Sequence, residues 1–271
     1  MKVQNKVIVV TGGGSGIGRE LVLQLVQRGA RVAALDINET TLNETFQMAG
    51  ELGNRISTHV VNIADREAVE ALPEKVIAAH GGVDGVINNA GIIQQFIKVN
   101  ELPYNQIERI MNINFYGVLY MVKSFLPHLL KRPQAHIVNL SSMGAFLPVP
   151  GQSLYGATKA AVKLLTEALN SELLATNVRV TLVMPGAIAT NIMANSGLMT
   201  KEEQDKQAKE AKGGMKTTPA KVAAQVILDG MEKDKYHVLI GPDAKMMDLL
   251  TRIAPKAAAK LIYKQMGALL K

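Results

Sequence analysis

Short apolar runs alternate with amphipathic stretches along most of the chain. The runs have the length and the β-branched content of buried parallel strands. They cover residues 6–11, 31–35, 56–61, 178–184 and 237–241, and residues 85–91 add a strand and a turn. Between them, apolar residues recur every three or four positions, as at Leu21, Leu25 and Val26, which is typical of helices packed on a sheet. The alternation predicts an α/β fold.

Two longer helices are predicted in the middle of the chain, over residues 104–131 and 153–175. In the second helix Tyr155 and Lys159 stand four residues apart and project from one face. Asp65 is expected to be the N-cap of a shorter helix that runs through Ala79.

Composition narrows the class of protein. The 271 residues are 48% hydrophobic and 20% charged, which indicates one large domain over residues 1–271. The absence of cysteine excludes disulfides, thiol nucleophiles and cysteine-ligated zinc. An apolar strand begins within six residues of Met1, which argues against a secretory signal sequence. The longest apolar run is broken by Lys123 and His128, which argues against a membrane-spanning helix. We therefore expect a soluble, cytoplasmic protein.

The formal charge of +7 could indicate binding to nucleic acid. Only 4% of residues are aromatic and no dense Lys/Arg block occurs, however, so we expect no nucleic acid partner. From Lys201 onward there are 14 basic and 9 acidic residues, so the basic excess lies in the C-terminal third. The histidines do not have the spacing of metal ligands, so we interpret them as structural and expect no metal site. They are His59, His80, His128, His136 and His237.

Tyr155 and Lys159 are the candidate proton-transfer pair. A free phenol titrates near about 10, and a neighbouring ammonium favours the phenolate, so we expect Lys159 to lower the pKa of Tyr155. Such a group suits a carbonyl that becomes an alkoxide, and Ser142 can supply a second hydrogen bond to the same oxygen. The simpler alternative is a surface lysine above a half-buried tyrosine.

A glycine-rich turn follows the first strand. Gly12-Gly13-Gly14-Ser15-Gly16-Ile17-Gly18 leads from a strand into a helix, where backbone amides can cradle a pyrophosphate. Asp36 ends the next strand, 18 residues beyond Gly18, which suits a ribose ligand. A carboxylate there repels a 2′-phosphate, and Ser15 and Ile37 offer it no cation, so NAD is favoured over NADP. The alternative to a ribose ligand is that Asp36 only caps the turn that follows it.

Motifs in four places resemble the short-chain dehydrogenase/reductase family, in its single-domain form. They are residues 11–18, Asn88-Asn89-Ala90-Gly91, Ser142 with Tyr155 and Lys159, and Pro185-Gly186. The resemblance implies a Rossmann-like, doubly wound three-layer sandwich with a seven-stranded, mostly parallel sheet in the order 3-2-1-4-5-6-7. It also implies a dimer or tetramer formed through the two long helices.

The resemblance also assigns site residues. Asn114, Ser142, Tyr155 and Lys159 match the catalytic tetrad, with Asn114 at a helix irregularity and Asn112 as a rival. Asn62 would contact adenine, although relatives usually carry aspartate there, and Ile188 and Thr190 would hold the carboxamide. The cofactor-binding set is Gly12, Gly14, Ser15, Gly16, Ile17, Gly18, Asp36, Asn62, Ile63, Asn89, Ala90, Gly91, Tyr155, Lys159, Pro185, Gly186, Ile188 and Thr190.

Two segments near the C-terminus carry further expectations. Residues 191–218 are polar and lysine-rich, and predict a substrate lid with a helix over 201–212 and a hinge at Gly213-Gly214. Residues 242–271 predict a basic amphipathic extension, with Lys256, Lys260 and Lys264 opposite apolar residues. Packing on its own subunit or across an interface is favoured for this extension over a peripheral membrane contact or an acidic partner.

The candidate pocket walls are mostly apolar: Ile93, Gln94, Met143, Phe146, Gln152, Met193 and Leu198. They indicate a small hydrophobic alcohol or ketone as substrate. The sequence thus predicts an oxidoreductase that interconverts a secondary alcohol and a ketone with NAD(H). An NADPH-dependent reductase of the 3-oxoacyl type and a non-catalytic NAD-binding regulator are the alternatives.

Overall fold

A parallel sheet forms the middle layer of the molecule in the computed structural model, which describes residues 1–200, 202–203 and 217–270. The strands are β1 (Val7–Thr11), β2 (Arg31–Asp36), β3 (Ile56–Val60), β4 (Gly85–Asn88), β5 (Ala135–Leu140), β6 (Val178–Pro185), β7 (Ile188–Ala189), β8 (Thr218–Pro219) and β9 (His237–Ile240). Seven of them form the sheet in the order β3-β2-β1-β4-β5-β6-β9, and every neighbouring pair is parallel. The predicted fold class and strand order are therefore confirmed, while β7 and β8 pair separately.

Helices occupy most of the connections between the strands, and the last two helices follow β9. They are α1 (Gly16–Gln27), α2 (Glu39–Met48), α3 (Arg66–Glu70), α4 (Leu72–His80), α5 (Tyr104–Met111), α6 (Gly117–Leu129), α7 (Ser153–Glu172), α8 (Ile192–Asn195), α9 (Ala220–Glu232), α10 (Pro242–Ile253) and α11 (Pro255–Met266). Among the residues that the structure describes, no helix is both long and apolar enough to cross a bilayer.

Several predicted helix boundaries change. Asp65 does cap α3, where its Oδ1 accepts a hydrogen bond from the Ala68 amide at 3.1 Å. The helix does not continue to Ala79 as predicted. It ends at Glu70, with Ala71 as its C-cap, and α4 begins at Leu72 with Pro73 in its first turn. Residues 104–131 form two α-helices joined by a π-helical turn over Asn112–Tyr116. The predicted helix over 201–212 and the hinge at 213–214 fall almost entirely outside the described residues.

The continuous apolar runs are explained by burial on both faces of the sheet. In β1, Ile8 and Val10 point into one core cluster with α1 and α9, whereas Val7 and Val9 point into the other with α4, α6 and α7. All four side chains are at most 2% exposed. This arrangement gives the three layers that the family resemblance implies.

A third, smaller cluster lies beyond the carboxyl end of β5. Leu147 in the loop after that strand packs with Met247 of α10 and with Ala258 and Ile262 of α11. The apolar face of α11 therefore packs on its own chain, as we favoured for the basic C-terminal extension.

His136 in β5 is a buried titratable group in the sheet. Its side chain is fully buried, Nε2 lies 2.8 Å from Thr181 Oγ1, and Nδ1 lies 3.5 Å from the Asp234 carboxylate. The Met1 amino group and Arg179 also act on it. Burial is the largest effect and lowers the pKa of His136 to about 3.

The buried imidazole should make folding stability depend on pH. The unfolded chain binds a proton near pH 6.5 that the folded chain takes up only near pH 3, so acidification favours unfolding in this window. At pH 5 the loss is about 2 kcal/mol relative to neutral pH. Urea unfolding of the His136→Gln protein, followed from pH 7.5 to 4.5, should lack this component. The partly exposed His128→Gln replacement should keep it, and equal pH slopes for the two variants would contradict the assignment.

Candidate active site

The glycine-rich turn brings backbone close to the end of β4. Gly12 and Gly16 have positive φ angles of +69° and +52°, which glycine adopts without strain. A Cβ atom on Gly12 would lie 2.9 Å from the side-chain amide nitrogen of Asn89. The turn can therefore take only glycine at this point, and it leads directly into the N-terminus of α1. A helix N-terminus reached in this way can bind an anionic group through its amides.

A single cavity of about 770 Å³ runs along the carboxyl edge of the sheet. Its volume lies within the range of small-molecule sites, which is about 300–1,000 Å³. Most of the predicted cofactor-binding residues line it: Gly12, Ser15, Gly16, Ile17, Asp36, Asn62, Ile63, Asn89, Ala90, Gly91, Tyr155, Lys159, Pro185, Gly186, Ile188 and Thr190. The candidates thus come together although they are spread over 179 positions of the sequence, from 12 to 190.

Two of the predicted cofactor residues, Gly14 and Gly18, are not among the described residues that line the cavity. A Cβ atom on Gly18 would overlap the Gly12 carbonyl oxygen, so this glycine lets α1 pack against the turn. The Gly14 amide donates to the Asp36 carboxylate at 2.9 Å. Both glycines therefore fix the conformation of the turn without lining the cavity themselves.

Asp36 is held at the far end of the cavity by backbone donors. Its Oδ2 accepts from the Gly14 amide at 2.9 Å and its Oδ1 accepts from the Asn38 amide at 3.0 Å. The neighbouring Arg19 donates to the Gly14 carbonyl at 2.9 Å and forms an ion pair with Glu44 at 2.6 Å. A negative charge is therefore fixed beside the turn, and the nearby guanidinium is directed elsewhere.

Tyr155 and Ser142 meet at the opposite end of the cavity. The first turn of α7 presents the phenol to the loop after β5, where it forms a hydrogen bond with Ser142. The Ser142 Oγ in turn accepts from the Gly144 amide at 3.0 Å. Burial raises the pKa of Tyr155, and the hydrogen bond from Ser142 opposes this effect.

Lys159 lies one helical turn from Tyr155 but does not act on it as we predicted. Its Nζ donates to the Leu140 carbonyl oxygen at 3.1 Å and lies 5.9 Å from the centroid of the Tyr155 ring. Burial lowers the pKa of Lys159 to about 8. The lowered pKa that we expected for Tyr155 is wrong for this structure: its pKa is raised, because burial is the largest effect, and Lys159 is not among the causes.

Asn114 occupies the π-helical turn between α5 and α6, at the helix irregularity that we expected. The side chain is fully buried, accepts from the Ile92 amide at 2.8 Å and donates to the Ile92 carbonyl at 2.9 Å. A Cβ atom on Gly91 would lie 3.2 Å from both Asn114 Oδ1 and Lys159 Nζ. Asn114 is therefore close to Lys159 but is not among the described residues that line the cavity, whereas the rival Asn112 is exposed and lines it.

The predicted pocket walls are only partly right. Ile93, Met143 and Gln152 line the cavity, whereas Gln94, Phe146, Met193 and Leu198 are not among its described lining residues. Gln94 is a buried connector: its Oε1 accepts from the Tyr155 amide at 2.8 Å and its Nε2 donates to the Gly151 carbonyl at 2.8 Å.

Sequence reasoning missed several apolar walls. Phe96, Leu147 and Val149 lie in irregular loops without periodicity, so no local pattern identifies them. Met266 lies at the end of α11, where its helical spacing showed only that it belongs to the packed face. Among the described residues, no three histidine, aspartate or glutamate side chains are grouped as metal ligands.

Comparisons with known proteins agree with this geometry. Residues 6–201 match the family described as short chain dehydrogenase. The chain is 38% identical over 261 residues to the Mycobacterium tuberculosis protein named "Putative oxidoreductase SadH", which covers 96% of this chain and 94% of that protein.

Two solved structures share the fold. A short chain dehydrogenase/reductase from Burkholderia phymatum in complex with NAD superposes with a TM-score of 0.83 at 25% identity, covering 95% of this chain and 96% of that chain. A short chain dehydrogenase from Burkholderia cenocepacia in complex with NADP gives 0.79 at 25% identity, with 97% and 99% covered. By its fold, its motifs and these matches, the chain belongs to the short-chain dehydrogenase/reductase family of oxidoreductases.

Proposed function

We propose that this protein interconverts a secondary alcohol and a ketone with NAD(H). The observation that carries the proposal is one continuous cavity with a fixed carboxylate, Asp36, at one end and the hydrogen-bonded pair of Tyr155 and Ser142 at the other. The apolar lining around that pair, which includes Met143 and Leu147, supports a hydrophobic substrate.

The cavity fits a dinucleotide. The glycine turn forms a cradle that any side chain would fill, and the N-terminus of α1 can receive the pyrophosphate. Asp36 would accept hydrogen bonds from the adenosine ribose, Asn62 and Ile63 would contact adenine, and Lys159 would hold the second ribose. Ile188 and Thr190 would contact the carboxamide. NAD is proposed because the Asp36 carboxylate disfavours a 2′-phosphate.

The nicotinamide ring of the bound cofactor supplies or takes up the hydride. The residues of this chain handle the proton and the substrate oxygen. Burial keeps the Tyr155 phenol protonated at neutral pH, so it can donate its proton to a carbonyl oxygen as negative charge develops there. Ser142 would donate a second hydrogen bond to the same oxygen.

Lys159 and Asn114 act behind the phenol in this proposal. With a pKa of about 8, Lys159 is mostly cationic at pH 7, so it can return a proton to the phenolate that remains after proton donation. Asn114 would position the π-helical turn beside Lys159, along the route by which the phenolate regains a proton. Oxidation of the alcohol uses the same groups in reverse.

Both alternatives remain testable. An NADPH-dependent 3-oxoacyl-type reductase would require a phosphate partner near Asp36, where Arg19 is already paired with Glu44. A non-catalytic NAD-binding regulator would not require Tyr155, Ser142, Lys159 and Asn114 together. Steady-state rates with NADH and NADPH over a panel of ketones distinguish the three readings.

The Tyr155→Phe replacement should abolish turnover. It retains the ring and its packing but removes the acidic proton, so kcat should fall by about 100-fold or more. NADH binding, followed by fluorescence, should stay within a few-fold of the wild type. Tyr104→Phe, at a position that is 82% exposed, is the matched control. Turnover of Tyr155→Phe close to that of the control would refute the proposed role.

The Asp36→Asn replacement should relax the choice of cofactor. It keeps an acceptor but removes the charge that repels a 2′-phosphate, so the ratio of kcat/KM for NAD to that for NADP should fall by about tenfold or more. Glu39→Gln removes an exposed acid three residues away and should leave the ratio unchanged. Equal ratios in both variants would show that Asp36 does not read the ribose.

The rate of ketone reduction should fall at alkaline pH. Lys159 loses its proton above its pKa of about 8, and the proton that it returns to the phenolate is then no longer available. We expect kcat/KM to decrease about tenfold per pH unit above that value. In Lys159→Arg the guanidinium keeps its proton throughout this range, so the rate should be low at every pH and the step near pH 8 should be absent. A wild-type profile that stays flat to pH 10 would exclude this role for Lys159.

A further inference from the structure

The C-terminal helices close over the segment that carries Ser142. Leu147, five residues after Ser142, is 2% exposed and packs against Met247 of α10 and Ile262 of α11. Met143 and Val149 of the same segment also pack against this third cluster. The loop beside the reacting groups is thus held by residues that come about 100 positions later in the chain.

One residue of these helices reaches the cavity. Met266, the last residue of α11, packs against the third cluster and also lines the cavity, together with Met143, Leu147 and Val149. Met143, which directly follows Ser142, packs against the same cluster as Met266, so Met266 lies at the Tyr155 end of the cavity and away from Asp36.

The walls at this end are apolar on several sides. Ile93 and Phe96 enter from the loop after β4, and Met143, Leu147 and Val149 enter from the loop after β5. Met266 adds a flexible, unbranched side chain that can follow the shape of an apolar group. Such walls recognise hydrocarbon by contact area and volume, so a long and movable side chain among them can limit the size of the group that fits.

Given the proposed function, we propose that α11 is a wall of the substrate chamber and that Met266 sets the size of the apolar group next to the reacting carbon. The corresponding substrate is a ketone or secondary alcohol with an alkyl or aryl group on one side. The competing reading is that Met266 only completes the third cluster and that its contact with the cavity has no effect on substrate choice.

A matched pair of variants separates these readings. Met266→Ala removes a side chain that touches both the cluster and the cavity. Leu261→Ala removes one that packs on the same cluster and is absent from the described cavity lining. Thermal melts report the packing loss in each variant. Substrate choice is measured as kcat/KM over methyl ketones with linear chains from butanone to decanone.

We expect Met266→Ala to move the preferred chain length upward by two to three carbons, since about that many heavy atoms leave the wall. The ratio of kcat/KM for the longest to the shortest ketone should rise by about tenfold or more. Met266→Phe should lower the ratio, and Leu261→Ala should leave it at the wild-type value. An unchanged ratio in Met266→Ala, or equal shifts in Met266→Ala and Leu261→Ala, would overturn the proposal.

The wall can also be tested separately from turnover. Dissociation constants of the same ketones, measured by titration calorimetry with NADH present and with Tyr155→Phe added to each protein so that no reduction occurs, should show the same change in chain-length preference. If the wild type turns over no ketone but the binding preference shifts in Met266→Ala alone, the proposed reaction fails and the wall stands. If binding shows no such shift, the wall fails whatever the rates are.

Discussion

The position of the Tyr155 phenol depends on hydrogen bonds that fix the first turns of α7 to the ends of the central strands. The Gln94 side chain accepts from the Tyr155 amide at 2.8 Å, and Gln152 donates to the Gln94 carbonyl at 2.8 Å. One turn later, the Ser141 hydroxyl donates to the Lys159 carbonyl at 2.7 Å. Because two of these bonds are buried and the third is partly buried, breaking a buried one leaves an unpaired polar group and costs about 1–3 kcal/mol. The geometry of the site is therefore a property of the loops after β4 and β5 as much as of the helix.

The same burial that fixes these groups also sets their charge states. Burial raises the pKa of the phenol and lowers the pKa of the ammonium to about 8, so both groups are pushed toward their neutral forms. The hydrogen bond from Ser142 acts in the opposite direction on the phenol. A local dipole, and not the nearby cation, is thus the group of this chain that eases proton loss from Tyr155. A short separation in the sequence showed that Lys159 is near, but it could not show where its Nζ points.

Much of the fold could be predicted because its signals are local. The strand-turn-helix around Gly12 and the apolar runs indicated the sheet, and the family resemblance gave its order. The break at Ala71 was less visible, since the apolar spacing continues across it. Gln94 illustrates the limit for the site. A polar residue beside a predicted pocket was read as a wall, but its partners are backbone atoms up to 61 residues away. Met266 is similar, because helical spacing identifies a buried face without identifying what that face covers.

The contact between α11 and the loop after β5 has a consequence for the order in which the molecule is made. Synthesis proceeds from the N-terminus, so the strands that carry the glycine turn and Asp36 leave the ribosome well before residues 255–266. A nascent chain can therefore assemble its nucleotide half while the loop beside Ser142 still lacks its cover. Until the last helix docks, the apolar side chains of that loop lack their cover, so this end of the cavity is completed only when residues 255–266 are in place.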